Sequence, residues 1–158
     1  MNSLFSELDR LYILISAKES DNQDEILKTL DSLKNPKDVI NQIRDDESLL
    51  MWAVWNLREE VVKKLVELGA DVHWSNDYGQ SAATYWDFNL YESNRSTCPV
   101  RENQELVLRI VTILHKAGAD LSLNAPKYTK SIIKKVRTYQ EKYPVLYSGF
   151  VELGLYDK

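Results

Sequence analysis

The chain has one cysteine, Cys98, so no disulfide can form within it. A single thiol fits a reducing compartment. Histidine is scarce too, with His73 and His115 alone. There is no CxxC or HExxH spacing around them, so no metal site is expected. Phosphate-cradling glycine loops, the GxGxxG fingerprint and the G-x-S-x-G nucleophile turn are all missing. No cofactor and no catalytic group is therefore expected. Positive charge is not in excess: the formal net charge is -4. That disfavours general nucleic-acid binding, which needs a basic surface against phosphates. Long apolar runs are absent as well. The N-terminal stretch LYILISA is short, follows Glu7, Asp9 and Arg10, and has no basic leader before it. It reads as a buried helix and not as a signal peptide or a membrane span, which makes the cytoplasm the default location and excludes a membrane partner.

What is present is a globular composition, 44% hydrophobic and 28% charged, in a chain of single-domain length. Leu4, Phe5, Leu8, Leu11, Tyr12 and Ile15 recur at helical spacing. Ile26, Leu27, Leu30 and Leu33 form a second amphipathic set, with Ser20 and Gln23 at capping-box spacing before it and Pro36 ending it. Ser48 can cap a short helix through LLMWAVW. Val61, Val62, Leu65 and Leu68 define another helix that ends at Gly69, and Leu106, Ile110, Val111 and Leu114 one that ends at Gly118. A last helical stretch precedes Pro144. No segment alternates with the period of a strand, so the fold class is all-α.

The chain also repeats. Gly69-Ala70-Asp71 returns at Gly118-Ala119-Asp120. Asp38 and Asp71, like Ser48 and Ser81, stand thirty-three residues apart. A fixed period of this size marks stacked units. The next interval is longer, and the excess falls in the polar, turn-rich stretch between Asp87 and Asn103.

VVKKLVELGADVHWSNDYGQSAAT resembles the ankyrin repeat. Gly69, Ala70 and Asp71 match its helix-end junction, Gly79 its turn glycine and Ser81 its capping threonine. Ala82 and Thr84 depart from the family's proline and histidine, Met51 departs from that histidine one unit earlier, and Asp46 replaces the preceding turn glycine. The resemblance implies an ankyrin-repeat solenoid of stacked helical hairpins with β-turn fingers and a long insertion loop. It divides the single domain 1–158 into a capping hairpin (1–35), a repeat (36–71), a repeat with insertion 87–103 (72–120) and a C-terminal capping repeat (121–158). Ser81 is expected to cap the following helix. His73 takes the place of an asparagine that ties neighbouring fingers together.

The resemblance further implies a concave partner-binding face. By its register that face carries Trp55, Asn56, Phe88 and Asn89, with Arg44, Asp45, Glu47, Ser75, Asp77, Tyr78 and Gln80 on the fingers. Trp52 and Trp86 fall at inner-helix positions and are expected in the core. Exposed aromatics ringed by charge have the composition of a binding hot spot. Alternatively, the insertion covers Trp55 and Phe88. From Met1 to Glu60 there are thirteen acidic and seven basic residues, which suits a basic partner. The function expected is protein binding with inhibition or sequestration of the partner, for example as a toxin immunity protein. A secreted bacterial effector that captures a host protein is one alternative. An enzyme with its site in the insertion, using Asp87, Glu92, Cys98 or Arg101, is the other. A third, less favoured reading places nucleic acid on the basic face from Lys127 to Lys142.

Overall fold

Short amphipathic segments separated by caps and left-handed residues fold as pairs of helices. The computed structural model describes residues 3–17, 22–87, 102–121 and 125–156. Its helices are α1 (Ser3–Ser16), α2 (Gln23–Asp31), α3 (Pro36–Ile40), α4 (Leu49–Trp55), α5 (Glu59–Glu67), α6 (Gln104–Lys116), α7 (Lys127–Thr138) and α8 (Pro144–Glu152), with a 3₁₀ turn at Ala82–Thr84. Among the described residues there is no strand of more than an isolated bridge, so the chain is all-α.

The helices pack in two rows. α1, α4, the 3₁₀ turn and α7 contact one another in that order, and α2, α5, α6 and α8 form the second row. Each member of the first row also packs on its counterpart in the second, which gives four stacked pairs among the described residues. The core runs between the rows. Leu11, Ile15, Ile26, Leu50, Val54, Leu65, Ile110, Ile133 and Phe150 are all essentially inaccessible to solvent. Burying each such side chain stabilises the fold by roughly 2 kcal/mol.

The helix ends follow from local chemistry. Ser48 caps α4 by accepting from the Met51 amide at 3.1 Å. α5 and α6 end in matching six-residue closures, Ala70 N–H onto the Leu65 carbonyl at 2.9 Å and Ala119 N–H onto that of Leu114 at 3.0 Å. Gly69 and Gly118 sit between with φ of 96° and 102°, the left-handed geometry this closure requires. At the end of α4 the same role falls to Leu57, at φ 53°.

Four expectations are corrected. Asn22, not Ser20, precedes α2, and its side chain makes no capping bond there. Its amide turns instead to the Leu14 carbonyl at 2.7 Å and fastens α2 to α1. Pro36 and Pro144 do not merely stop what precedes them: each opens a helix, at the first position, where no amide bond is lost. The helix Pro144–Glu152 escaped the sequence reading altogether. Its first amides, those of Val145 and Leu146, are capped from α6 by Gln104 Oε1 at 2.9 and 3.2 Å. Finally, Ser81 makes no side-chain cap. The element after it is a single 3₁₀ turn, and the Thr84 amide that a hydroxyl would take is bonded to the Ser81 carbonyl.

Candidate functional site

Among the described residues two β-turn fingers connect the pairs. In the first, Arg44 and Glu47 exchange both backbone bonds, at 3.0 and 2.9 Å. Asp45 and Asp46 form the loop at φ 49° and 63°. Two left-handed residues between paired strand ends are the signature of the tight I′ turn. In the second, Ser75 bridges Ser81. Asn76 organises its tip, with Oδ1 accepting from the amides of Tyr78 and Gln80, both at 3.0 Å. Gly79 completes the turn at φ 76°.

Asparagines tie the fingers together, but not at position 73. Asn76 Nδ2 reaches the Asp46 carbonyl at 3.4 Å. At the base, Asn41 accepts from the Asp71 amide at 2.8 Å and donates to the Gly69 carbonyl at 3.0 Å. His73 is exposed, and its own amide is held by Asp71 Oδ1. The tying role expected of it therefore belongs to Asn41 and Asn76, whose amides offer donor and acceptor together.

A file of aromatic rings crosses the first row of helices. Tyr12 lies 6.4 Å from Trp52, Trp52 stacks on Trp55 at 6.3 Å and 13°, and Trp55 meets Tyr85 at 5.3 Å. Glu47 joins the two ends. Its carbonyl accepts from the Tyr12 hydroxyl at 3.0 Å and its Oε2 from the Tyr85 hydroxyl at 2.8 Å. Burial raises the Glu47 carboxyl above its ordinary range, partly offset by the Tyr85 bond. Burial likewise pushes both tyrosines well above theirs, so both stay hydrogen-bond donors.

A second carboxylate lies deeper. Asp87 is 3% exposed and accepts from the Tyr128 hydroxyl at 2.7 Å, while Gln80 Nε2 approaches that hydroxyl at 3.4 Å. Burial raises Asp87 to about 6, against the lowering effect of the Tyr128 bond. The second finger, the 3₁₀ corner and α7 are joined through this relay.

Of the candidate partner-binding residues, Tyr78 is the most prominent, 77% exposed at the second finger tip. Asp45, Ser75 and Asp77 are exposed beside it or on the neighbouring finger. Arg44, Glu47 and Gln80 are half-buried and bonded within the fold. Trp55 is half-buried in the aromatic file, and Asn56 spends its amide on the Trp52 carbonyl at 2.8 Å. Phe88 and Asn89 lie outside the described residues, as do Glu92, Cys98 and Arg101. Trp86 is buried as expected, but Trp52 is only half-buried, because its indole N–H turns to the Tyr12 carbonyl at 3.3 Å and its ring faces a groove.

That groove, about 230 Å³, lies between α1 and the first finger. Tyr12, Ile13 and Trp52 line it with Arg44, Asp45 and Glu47. The sequence reading missed Tyr12 and Ile13 as surface residues. Ile13 lies outside the helical apolar set of α1, which was the available signal, and the structure leaves it 67% exposed. Among the described residues no group of three or more His, Cys, Asp or Glu could hold a metal ion. No helix among them is long and apolar enough to cross a membrane. Comparison with protein-family models, with curated proteins and with solved structures gave no match to this chain.

Proposed function

We propose that this chain is an ankyrin-like stack whose work is to bind another protein and so inhibit or sequester it. The paired rows, the two tied fingers, the thirty-three-residue period and the left-handed glycines at the helix ends support the ankyrin reading. One observation carries the binding reading. The ring file from Tyr12 to Tyr85 is joined at both ends to Glu47 of the first finger, whose loop exposes Asp45, and the second finger, tied to the first through Asn76 and the Asp46 carbonyl, exposes Asp77 and Tyr78. Aromatic anchors with a charged rim are how protein interfaces concentrate their energy. The acidic sign of that rim suits a basic partner.

The test is capture of the tagged chain's partner from native host lysate at physiological salt, identified by mass spectrometry. A Tyr78→Ala variant and a Trp55→Ala variant run alongside. A single stoichiometric protein is expected. Tyr78→Ala should weaken its binding by about 2 kcal/mol and leave stability unchanged, since the ring is free of the core. No partner, or a partner held equally by both variants, would remove this face from consideration. If the captured protein is an enzyme that keeps full activity in the saturated complex, the inhibitory form fails.

A further inference from the structure

We propose that the groove between α1 and the first finger is an arginine subsite, built to take one guanidinium side chain of the bound protein. The inference rests on the protein-binding reading and specifies what one part of that face recognises.

The walls are aromatic. The Tyr12 and Trp52 rings meet at 45° and form a cleft of side-chain size, about 230 Å³. Trp52 cannot swing closed, because its indole N–H is fixed on the Tyr12 carbonyl and its other face stacks on Trp55. Ile13 stands open on the lip and offers apolar surface for an aliphatic stem.

The charge selects the head group. Asp45 and Glu47 line the groove beside Arg44, Asp9 pairs with that arginine, and Asp46 lies near enough to Glu47 to act on its charge. Arg44 pairs with Asp9 and lies 3.9 Å from Asp45, a loose contact. The Asp45 side chain stays 91% exposed on a left-handed loop position. Glu47 Oε2 accepts from the Tyr85 hydroxyl, and the residue lines the groove. A neutral or acidic occupant would leave this surplus of negative charge uncompensated.

The fold already packs one guanidinium near a wall of this groove. Arg44 already lies 5.3 Å from the Tyr12 ring centroid. A planar, weakly hydrated guanidinium stacks on rings and bridges two carboxylates, whereas an ammonium is a compact and strongly hydrated charge. Arginine is therefore preferred over lysine.

The test is a titration of the full chain with N-acetyl-arginine methylamide, followed by amide and indole N–H resonances. The lysine and norleucine analogues serve as comparisons. Saturable millimolar shifts of the Trp52 indole and of the Ile13, Ser16 and Asp45 amides are expected with arginine. They should be weaker with lysine and absent with norleucine. Asp45→Asn, a residue that tolerates the left-handed loop, should raise the dissociation constant about threefold. Equal shifts with norleucine would make the groove an apolar pocket and overturn the assignment. So would a lack of saturation, or an unchanged constant in Asp45→Asn. This outcome is separate from that of partner capture. A captured partner that depends on Tyr78, with no arginine response in the groove, would sink the subsite and leave the binding reading standing. An arginine response with no captured partner would do the reverse.

Discussion

Arg58 closes the end of α1. Its Nε donates to the Ile15 carbonyl at 2.8 Å, and its terminal nitrogen reaches the carbonyls of Ala17 and Leu14 at 3.1 and 3.3 Å. A helix C-terminus leaves its last carbonyls unpaired and partly negative, so a guanidinium there serves as both donor and counter-charge. Partial burial lowers the Arg58 pKa, but arginine remains charged at any physiological pH. Arg58→Ala should destabilise the fold by about 2 kcal/mol. Arg58→Lys should recover less than half, since one ammonium cannot span three carbonyls. Urea unfolding checks both, and equal midpoints for the lysine variant and the parent would show that charge alone matters.

The first finger carries a built-in cost. Asp46 at φ 63° stands thirty-three residues before Gly79 at φ 76°, and each is the last, left-handed residue of its finger loop, although the two loops differ in length. Side chains disfavour that region and glycine does not. Asp46→Gly should therefore stabilise the protein by about 0.5–1 kcal/mol. The contact to the second finger survives, because Asn76 uses the Asp46 carbonyl and not its carboxylate. A lowered unfolding midpoint would mean that this loop is not left-handed in solution.

These residues also mark what the sequence made legible. Ser48, Gly69, Gly79 and Gly118 state their roles by type and position, since caps and left-handed turns need particular side chains. Asp46 could be placed by period, although its chemistry argued against a turn glycine. The second role of proline was harder to see: Pro36 and Pro144 stop one element and open the next, and the sequence gives both readings equal weight. Nothing local shows that Gln104 caps a helix some forty residues away, or that Arg58 serves α1. Such long-range pairings exist only once the stack has formed. The surface site was legible in outline, through Tyr78 and the acidic fingers. The groove at Tyr12 was not, because Tyr12 reads as one more apolar position on α1.

Thr84 stands where the resemblance calls for histidine, and its hydroxyl is fully buried with no hydrogen-bond partner. Met51, one unit earlier, fills the equivalent position with an apolar chain. Thr84→Val keeps the branched shape and removes the unpaired polar group. It should stabilise the fold by about 1 kcal/mol, read as a higher thermal midpoint. A loss of stability would show that the hydroxyl is paired in solution.

Asp87 makes stability depend on pH, and the sign follows from its burial. An aspartate has an ordinary pKa of 3.8, and burial raises this one to about 6 in the folded state. Between those values the folded chain holds a proton that the unfolded chain has released. This contribution is complete below about pH 4 and is lost as pH rises through about 6. Tyr128 faces the group as a donor, and Lys135 lies near enough to lower it slightly, so neither reverses the shift. Asp87→Asn keeps an acceptor for Tyr128 and removes the charge. At pH 7.5 it should stabilise the protein by about 2 kcal/mol, with little change at pH 4. Glu47 shifts in the same direction, so the variant should flatten the pH profile without levelling it. Urea unfolding at a series of pH values measures this directly. A profile that keeps its full slope in Asp87→Asn would place the titration elsewhere, with Glu47 the first group to replace.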